Sequence, residues 1–319
     1  MLIERNKFDI CLMNPPYGET VTGGMYLDMQ FVEKVNKFVN TQIVVHPATR
    51  YISNTKLGKS NAESGHLKKL YIFDANKEFG ISTSWRYGGI YVYDNKLTYE
   101  TTEVTNEINN YTKDVKLTLE DRQNYYKTVM FDFDIINIIK NKQSLYNKLI
   151  ESNKTMVNDG HGFIYEENRL GRGKNKYGVK KTDNVKLDKV KTYLKEGTYK
   201  YCLYKGSFNN TYNKVQEWKG QDPDKLFKGQ ICWLTNKENV KNNIKYWMEC
   251  TLFDLWRRYK FGSANNTPGC QYGNLPALDF EQDETKFREY VDSLNDFTNE
   301  EIDILIKNKI HNAENLQKK

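Results

Sequence analysis

Hydrophobic and polar positions alternate or cluster along the chain in a way that predicts its elements. Lys7–Met13 (KFDICLM) is a short apolar run that stops at Asn14-Pro15-Pro16, which predicts a buried strand ending in a stiff loop. Met25–Val39 places Leu27, Phe31, Val35, Phe38 and Val39 on one face, the spacing of an amphipathic helix. Gln42–His46 predicts a second buried strand, closed by Pro47. Leu67–Asp74 (LKKLYIFD) and Gly88–Tyr93 (GGIYVY) predict two more, joined by a segment too long for a tight turn. Thr98–Thr118 alternates and is rich in Thr, Asn and Glu, the pattern of an exposed hairpin or linker.

The pattern then becomes helical. Phe131–Ile150 predicts one long helix with Ile135, Ile138, Ile139, Leu145 and Leu149 as its apolar stripe, and the domain boundary is expected near it. Short strands are expected at Tyr199–Tyr204 and Gln230–Thr235. Asn239–Arg258 predicts a helix in which Trp247, Phe253 and Trp256 belong to the core, while Arg257 and Arg258 at its end oppose the helix dipole. Thr49–His66 and Phe261–Pro276 read as loops, and Glu284–Ile310 as an acidic helical tail. No repeat is visible, and the fold class is α/β.

Composition narrows the class. The chain has 319 residues, 13% of them aromatic, too many for a disordered protein. No apolar run is long enough to span a membrane. The charged opening, Glu4, Arg5, Lys7 and Asp9, predicts no secretory leader and hence a cytoplasmic protein. Cys11, Cys202, Cys232, Cys250 and Cys270 are scattered, and His46, His66, His161 and His311 do not cluster with them. Neither a disulfide framework nor a metal site is expected.

Net charge is +7, which suits a polyanionic partner. Only 9 of the 48 basic residues are Arg, and Asn occurs 35 times. That usage is what an A+T-rich coding sequence produces, so the sum alone says little. The distribution says more: Lys154–Lys245 carries a net +10 and Leu278–Ile306 a net −8. Within the basic stretch, Arg169, Arg172, Lys174, Lys176, Lys180 and Lys181 interleave with glycines and Tyr177. Such a loop can follow a groove and contact phosphates, and its arginines can read guanine edges. A solvated surface loop in a Lys-rich protein has the same composition.

The sharpest chemistry lies in Asn14-Pro15-Pro16-Tyr17. An exocyclic amino group on a nucleobase is a poor nucleophile because its lone pair is delocalised into the ring. Two acceptors on its hydrogens can draw the nitrogen towards a tetrahedral geometry and localise that pair. The Asn14 carboxamide oxygen and the Pro15 carbonyl are such acceptors, and adjacent prolines hold them without reorganisation. Tyr17 offers a stacking face for a base rotated out of a duplex. A methyl group would then arrive in line from a sulfonium donor, with no metal. A Pro-Pro turn that merely caps a strand has the same sequence.

KFDICLMNPPYG resembles the catalytic motif of the adenine-specific (N6) DNA methyltransferases of restriction–modification systems. The resemblance implies a doubly wound sheet with the motif at the end of its fourth strand, followed by a helix, a strand and an antiparallel pair. It covers residues 7–95, and Asn274–Phe280 resembles the close of the recognition region. It implies Asn14, Pro15, Pro16 and Tyr17 as catalytic, Asn14 and Pro15 also facing the cofactor S-adenosylmethionine, and double-stranded DNA as partner. The implied organisation is a catalytic half over 1–120, a connecting helix over 121–150, an α+β target-recognition-like domain over 151–280, and the acidic tail over 281–319.

One departure stands out. The family's Gly-rich cofactor loop and the acidic residue after it precede the catalytic motif, whereas only 13 residues precede Asn14 here. Gly160–Gly173 is Gly-rich but basic, and no apolar strand comes before it. The sheet is therefore expected to be partial, with Lys7–Met13 left with an unpaired apolar flank. Three readings stay open: a split enzyme whose second subunit supplies the Gly-rich cofactor loop, a relic that keeps the DNA-binding half, and an inactive methyltransferase-derived module that binds DNA or protein. Methylation of a protein amide by the same motif is a further reading.

Overall fold

A computed structural model describes residues 8–16, 20–21, 25–48, 64–80, 87–108, 110–116, 134–152, 155–156, 161–164, 187–205, 215–223, 231–257 and 275–317. The chain forms two units, 1–136 and 137–319.

The first unit is built on a mixed sheet. Its elements are β1 (Phe8–Met13), a short β2–β3 pair (Thr20–Val21 and Met25–Tyr26), α1 (Leu27–Val35), β4 (Val39–Pro47), β5 (Leu67–Asp74), α2 (Ala75–Phe79), β6 (Tyr87–Asp94), β7 (Thr102–Asn106) and β8 (Tyr111–Val115). Six strands pair in the order β1-β4-β6-β5-β7-β8. β1 runs parallel to β4, and β5 parallel to β7. β6 is antiparallel to both β4 and β5 and fills the slot between them. The segment predicted as a hairpin or linker is the β7–β8 hairpin, and it extends the sheet.

The sheet's two faces differ. Register places Gln42, Val44 and His46 of β4 beside Tyr93, Tyr91 and Gly89 of β6. Gln42, Val44, His46 and Tyr91 are fully buried. α1 covers this face through Met29 and Val32, and the Gln42 amide reaches back to Val32 O (3.4 Å) and Asn36 Oδ1. Its covering side therefore differs from the predicted stripe. Asp28, Met29 and Val32 are buried, while Phe31 and Phe38 are 43% and 38% exposed. The helix also ends at Val35, and Val39 begins the next strand.

α3 (Asp134–Asn141) contains the boundary between the units. It is followed by α4 (Gln143–Ser152), so the single predicted helix is two. Ile135, Ile138, Ile139 and Leu149 of the predicted stripe are buried.

The second unit continues with β9 (Gly162–Ile164), α5 (Leu187–Lys195), β10 (Tyr201–Lys205), β11 (Gln216–Glu217), β12 (Ile231–Thr235), α6 (Glu238–Met248), α7 (Thr251–Leu255), α8 (Glu284–Leu294), α9 (Asn299–Lys307) and α10 (Ala313–Leu316). An antiparallel sheet, β11-β10-β12-β9, lies between two apolar layers. Leu203 and Trp233 face a core with Trp247, Phe253, Trp256 and Phe287, and Cys202, Cys232 and Leu234 face Val190 and Leu194 of α5. The predicted core aromatics Trp247, Phe253 and Trp256 are fully buried. The indole N–H groups of Trp233 and Trp247 donate to Met156 O (2.7 Å) and Pro276 O (2.8 Å), which removes the penalty of burying them unpaired.

Arg257 does not act as an exposed cation at a helix end. It is 1% exposed, and its Nη2 and Nε donate to Asp254 Oδ1 at 2.6 and 3.1 Å. The other Asp254 oxygen accepts His311 N–H at 2.9 Å. The chain holds two helices where one was predicted, because the Cys250 side chain caps a new start at Phe253 N.

Candidate functional site

The chain leaves β1 at Met13, which lies in register with Val44 of β4. Strands β1, β4, β5 and β7 all end on the same side of the sheet, so Asn14-Pro15-Pro16 and Pro47-Ala48 leave it together. In open α/β sheets the crevice beyond the carboxyl ends of parallel strands is where ligands bind. Asn14 and Pro16 are exposed and Pro15 between them is buried. The buried ring anchors a loop whose φ angles the two prolines already restrict.

A polar group that the sequence did not reveal supports this end of the sheet. Asp28, in the first turn of α1, and His46, at the end of β4, meet at 3.0 Å (Oδ2 to Nδ1), both fully buried. The imidazole stands edge-on to Tyr91, with ring centroids 5.4 Å apart and planes at 88°. The Tyr91 hydroxyl is within hydrogen-bond distance of the Pro47 and Ala48 carbonyls, at 3.1 and 3.0 Å. Ala48 N donates to Tyr87 O at 2.9 Å. The backbone that leaves β4 is thus tied from the side-chain layer and from the neighbouring strand. Asp28 and His46 lie 18 residues apart, and neither periodicity nor a motif links them.

Close approach shapes the adjoining strand. A Cβ on Gly88 would lie 2.4 Å from the Phe73 ring, so the ring can lie over β6 only because that position has no side chain. Phe73 packs edge-on against Phe79 of α2 and stacks on Tyr71. Asp74, at the end of β5, caps α2 by accepting Asn76 N–H and Lys77 N–H.

The turn after β1 is Asn-Pro-Pro, β4 ends in Pro47-Ala48, and the segment after β5 is capped by Asp74. Among the described residues no Gly-rich turn joins a strand to a helix N-terminus at this side of the sheet.

The remaining predicted site residues lie elsewhere. Tyr17 is outside the described residues, as are Arg169, Arg172, Lys174, Lys176, Lys180 and Lys181. In the second unit, Lys241 is 8% exposed and lies 3.0 Å from Glu217 Oε1 and 4.8 Å above the Tyr201 ring centroid. Burial alone would lower its pKa, but the Glu217 hydrogen bond and charge outweigh it and hold the ammonium above its ordinary range. Trp218 is half-buried and donates its indole N–H to Gln221 O at 2.6 Å. Cys11, Cys202, Cys232 and Cys250 are free thiols. Among the described residues no three His, Cys, Asp or Glu side chains gather as a metal site would require, and no helix is long and apolar enough to cross a membrane.

No family model matches the chain, and no curated protein matches it. Among solved structures, the type IIG restriction endonuclease BpuSI is similar at a TM-score of 0.33 and 10% identity, covering 91% of this chain and 49% of that one. The chain spans about half the length of that enzyme.

Proposed function

We propose that this chain is a DNA adenine-N6 methyltransferase that uses S-adenosylmethionine, or the catalytic and recognition half of a split one. The observation that carries the reading is Asn14-Pro15-Pro16 at the carboxyl end of a parallel strand, with Pro15 buried and Asn14 exposed beside it. The succession of helix, parallel strand and antiparallel pair after the motif supports it as well.

The chain's own part in the chemistry is positioning. The Asn14 carboxamide oxygen and the Pro15 carbonyl accept the two amino hydrogens of an adenine swung out of the duplex. The nitrogen lone pair is thereby freed from the ring and turned towards the donor. The prolines keep both acceptors in place before the base arrives, so no reorganisation is needed at the moment of transfer. Tyr17 stacks on the purine face, and the basic segment from Arg169 to Lys181 follows the phosphates.

The test uses protein purified from its own cells under conditions that keep complexes intact. Methyl transfer from radiolabelled S-adenosylmethionine to DNA is measured beside DNA binding by fluorescence anisotropy. Asn14→Ala is expected to lower the transfer rate by at least about 10²–10³, the usual effect of losing one positioned hydrogen-bonding group, with DNA affinity unchanged. Transfer that survives Asn14→Ala at the wild-type rate refutes the assignment. Among the described residues no Gly-rich strand-to-helix turn lies at this side of the sheet, and that favours a second reading, a catalytically inactive DNA- or protein-binding module. DNA binding without S-adenosylmethionine binding or transfer in any preparation would establish it.

A further inference from the structure

Polar groups taken out of water cost a protein stability unless each one is matched. The pair beneath the carboxyl ends of β1 and β4 is matched only in part. Asp28 and His46 are both fully buried and meet through one contact, Oδ2 to Nδ1. The second ring nitrogen of His46, Nε2, is buried as well and has no hydrogen-bond partner among the described residues. Beside Asp28, α1 buries only Met29 and Val32. Alanine at position 28 and leucine at position 46 would fill about the same space and leave no polar atom unmatched. Replacing a buried polar pair by apolar side chains of similar volume is often neutral or stabilising. Stability therefore gives no reason for a carboxylate and an imidazole at these two places.

What the pair supplies is direction. A hydrogen bond fixes the plane of a ring, whereas apolar packing fixes only its shape. Asp28 holds the imidazole from α1, and Tyr91 of β6 stands at 88° to it. Tyr91 also reaches the Pro47 and Ala48 carbonyls with its hydroxyl. β1 lies on the other side of β4 from β6. The last pair between β1 and β4 is Met13 with Val44, and two residues further along come Pro15 and His46, both buried. Pro15 and its neighbour Asn14 carry the two acceptors of the proposed reaction. We propose that Asp28 and His46 are positioning residues, whose oriented imidazole holds the Pro15 backbone and thereby keeps Asn14 and the Pro15 carbonyl aimed. The inference rests on the methyl-transfer reading for what those acceptors hold; the geometry of the pair does not depend on it.

The test is the full chain carrying Asp28→Ala with His46→Leu. Order at Asn14 is read from 15N relaxation of its backbone amide, and stability from native-state hydrogen exchange at β4 and β6. In the wild type the Asn14 amide should be rigid, with an order parameter of about 0.85; in the double variant it should fall below about 0.6 while β4 and β6 keep their protection. Asp28→Asn retains an acceptor for the ring N–H and should retain the order at Asn14. In a preparation that transfers methyl groups, the double variant should lower kcat by about 10², the effect of a displacement of about 1 Å at a reacting group, with KM for DNA unchanged. The proposal is overturned if Asn14 keeps its order in the double variant, if it is already loose in the wild type, if β4 and β6 lose protection along with it, or if kcat is unchanged. Order lost at Asn14 alone, with no methyl transfer in any preparation, upholds this inference and sinks the function proposed above; transfer at the wild-type rate by the double variant does the reverse.

Discussion

Replacing Asp28 by Ala tests whether the buried pair under α1 holds the carboxyl end of β4. Asp28 and His46 are both fully buried, and their Oδ2–Nδ1 contact is 3.0 Å. Removing Asp28 leaves a buried ring nitrogen of His46 without its hydrogen-bond partner and costs about 1–3 kcal/mol. That range is about one to two powers of ten in an opening equilibrium. Asp28→Asn keeps the shape and one acceptor, so it should lose only the charge-assisted part of the bond, on the order of 1 kcal/mol. Because the chain has two units, a single unfolding midpoint would blur the effect. The suitable assay is native-state hydrogen exchange read at the amides of β4 and β6. In Asp28→Ala their protection should fall by the stated factor, while amides of β10 and β12 in the other unit keep theirs. A fall below about fivefold, roughly 1 kcal/mol, would show that the contact is not holding the sheet.

The pair Asp254 and Arg257 makes a similar prediction for the second unit. Asp254→Ala should cost about 3–5 kcal/mol, read by native-state hydrogen exchange at β10 and β12, whereas Asp254→Leu with Arg257→Met should lose less, because no charge is then left buried and only the His311 N–H loses its acceptor. Gly88→Ala drives a methyl group against the Phe73 ring and should cost about 1–3 kcal/mol, with Phe73→Leu in the same chain recovering part of it. Lys241 titrates above its ordinary range in the folded chain, so its contribution is fully present below about pH 10.4 and is lost as pH rises through the raised value. Lys241→Met should flatten that alkaline decline in a stability–pH profile, and an unchanged profile would refute the linkage.

What the sequence revealed and what it hid divide along one line: contacts between near neighbours are legible, and contacts between distant ones are not. The strand over Leu67–Asp74 has the bounds its apolar run predicts, and Gln42–His46 is the inner part of β4. Trp247, Phe253 and Trp256 are buried as their spacing requires. The end of β1 before Asn14-Pro15-Pro16 was legible because prolines cannot continue a strand's pairing. α1 went differently. Periodicity chose Phe31 and Phe38 for the inner face, but the helix turns Asp28 inward to meet a histidine that comes after the next strand has begun. No count of apolar positions along the helix can find that. Arg257 is a similar case, since its place at a helix end suggests solvent, while Asp254 three residues earlier and His311 much later close a polar cluster around it. One start signal lay in plain view: Thr298 and Glu301 form a capping box that sets the beginning of α9. The break at Cys250 did not, because cysteine is not among the usual capping residues.

The position of β6 between β4 and β5 has a consequence for synthesis. β4 and β5 leave the ribosome first, yet they are not neighbours; the place between them belongs to a strand still being made. From Asp74 to Asp94 the ribosome adds 20 residues, which takes about 1–4 s at about 5–20 residues per second. During that interval Val44 and Leu70, buried in the finished protein, have no Tyr91 between them. If the two strands close on each other early, they must separate again before the sheet can form, so the nascent chain folds soundly only while that gap stays open.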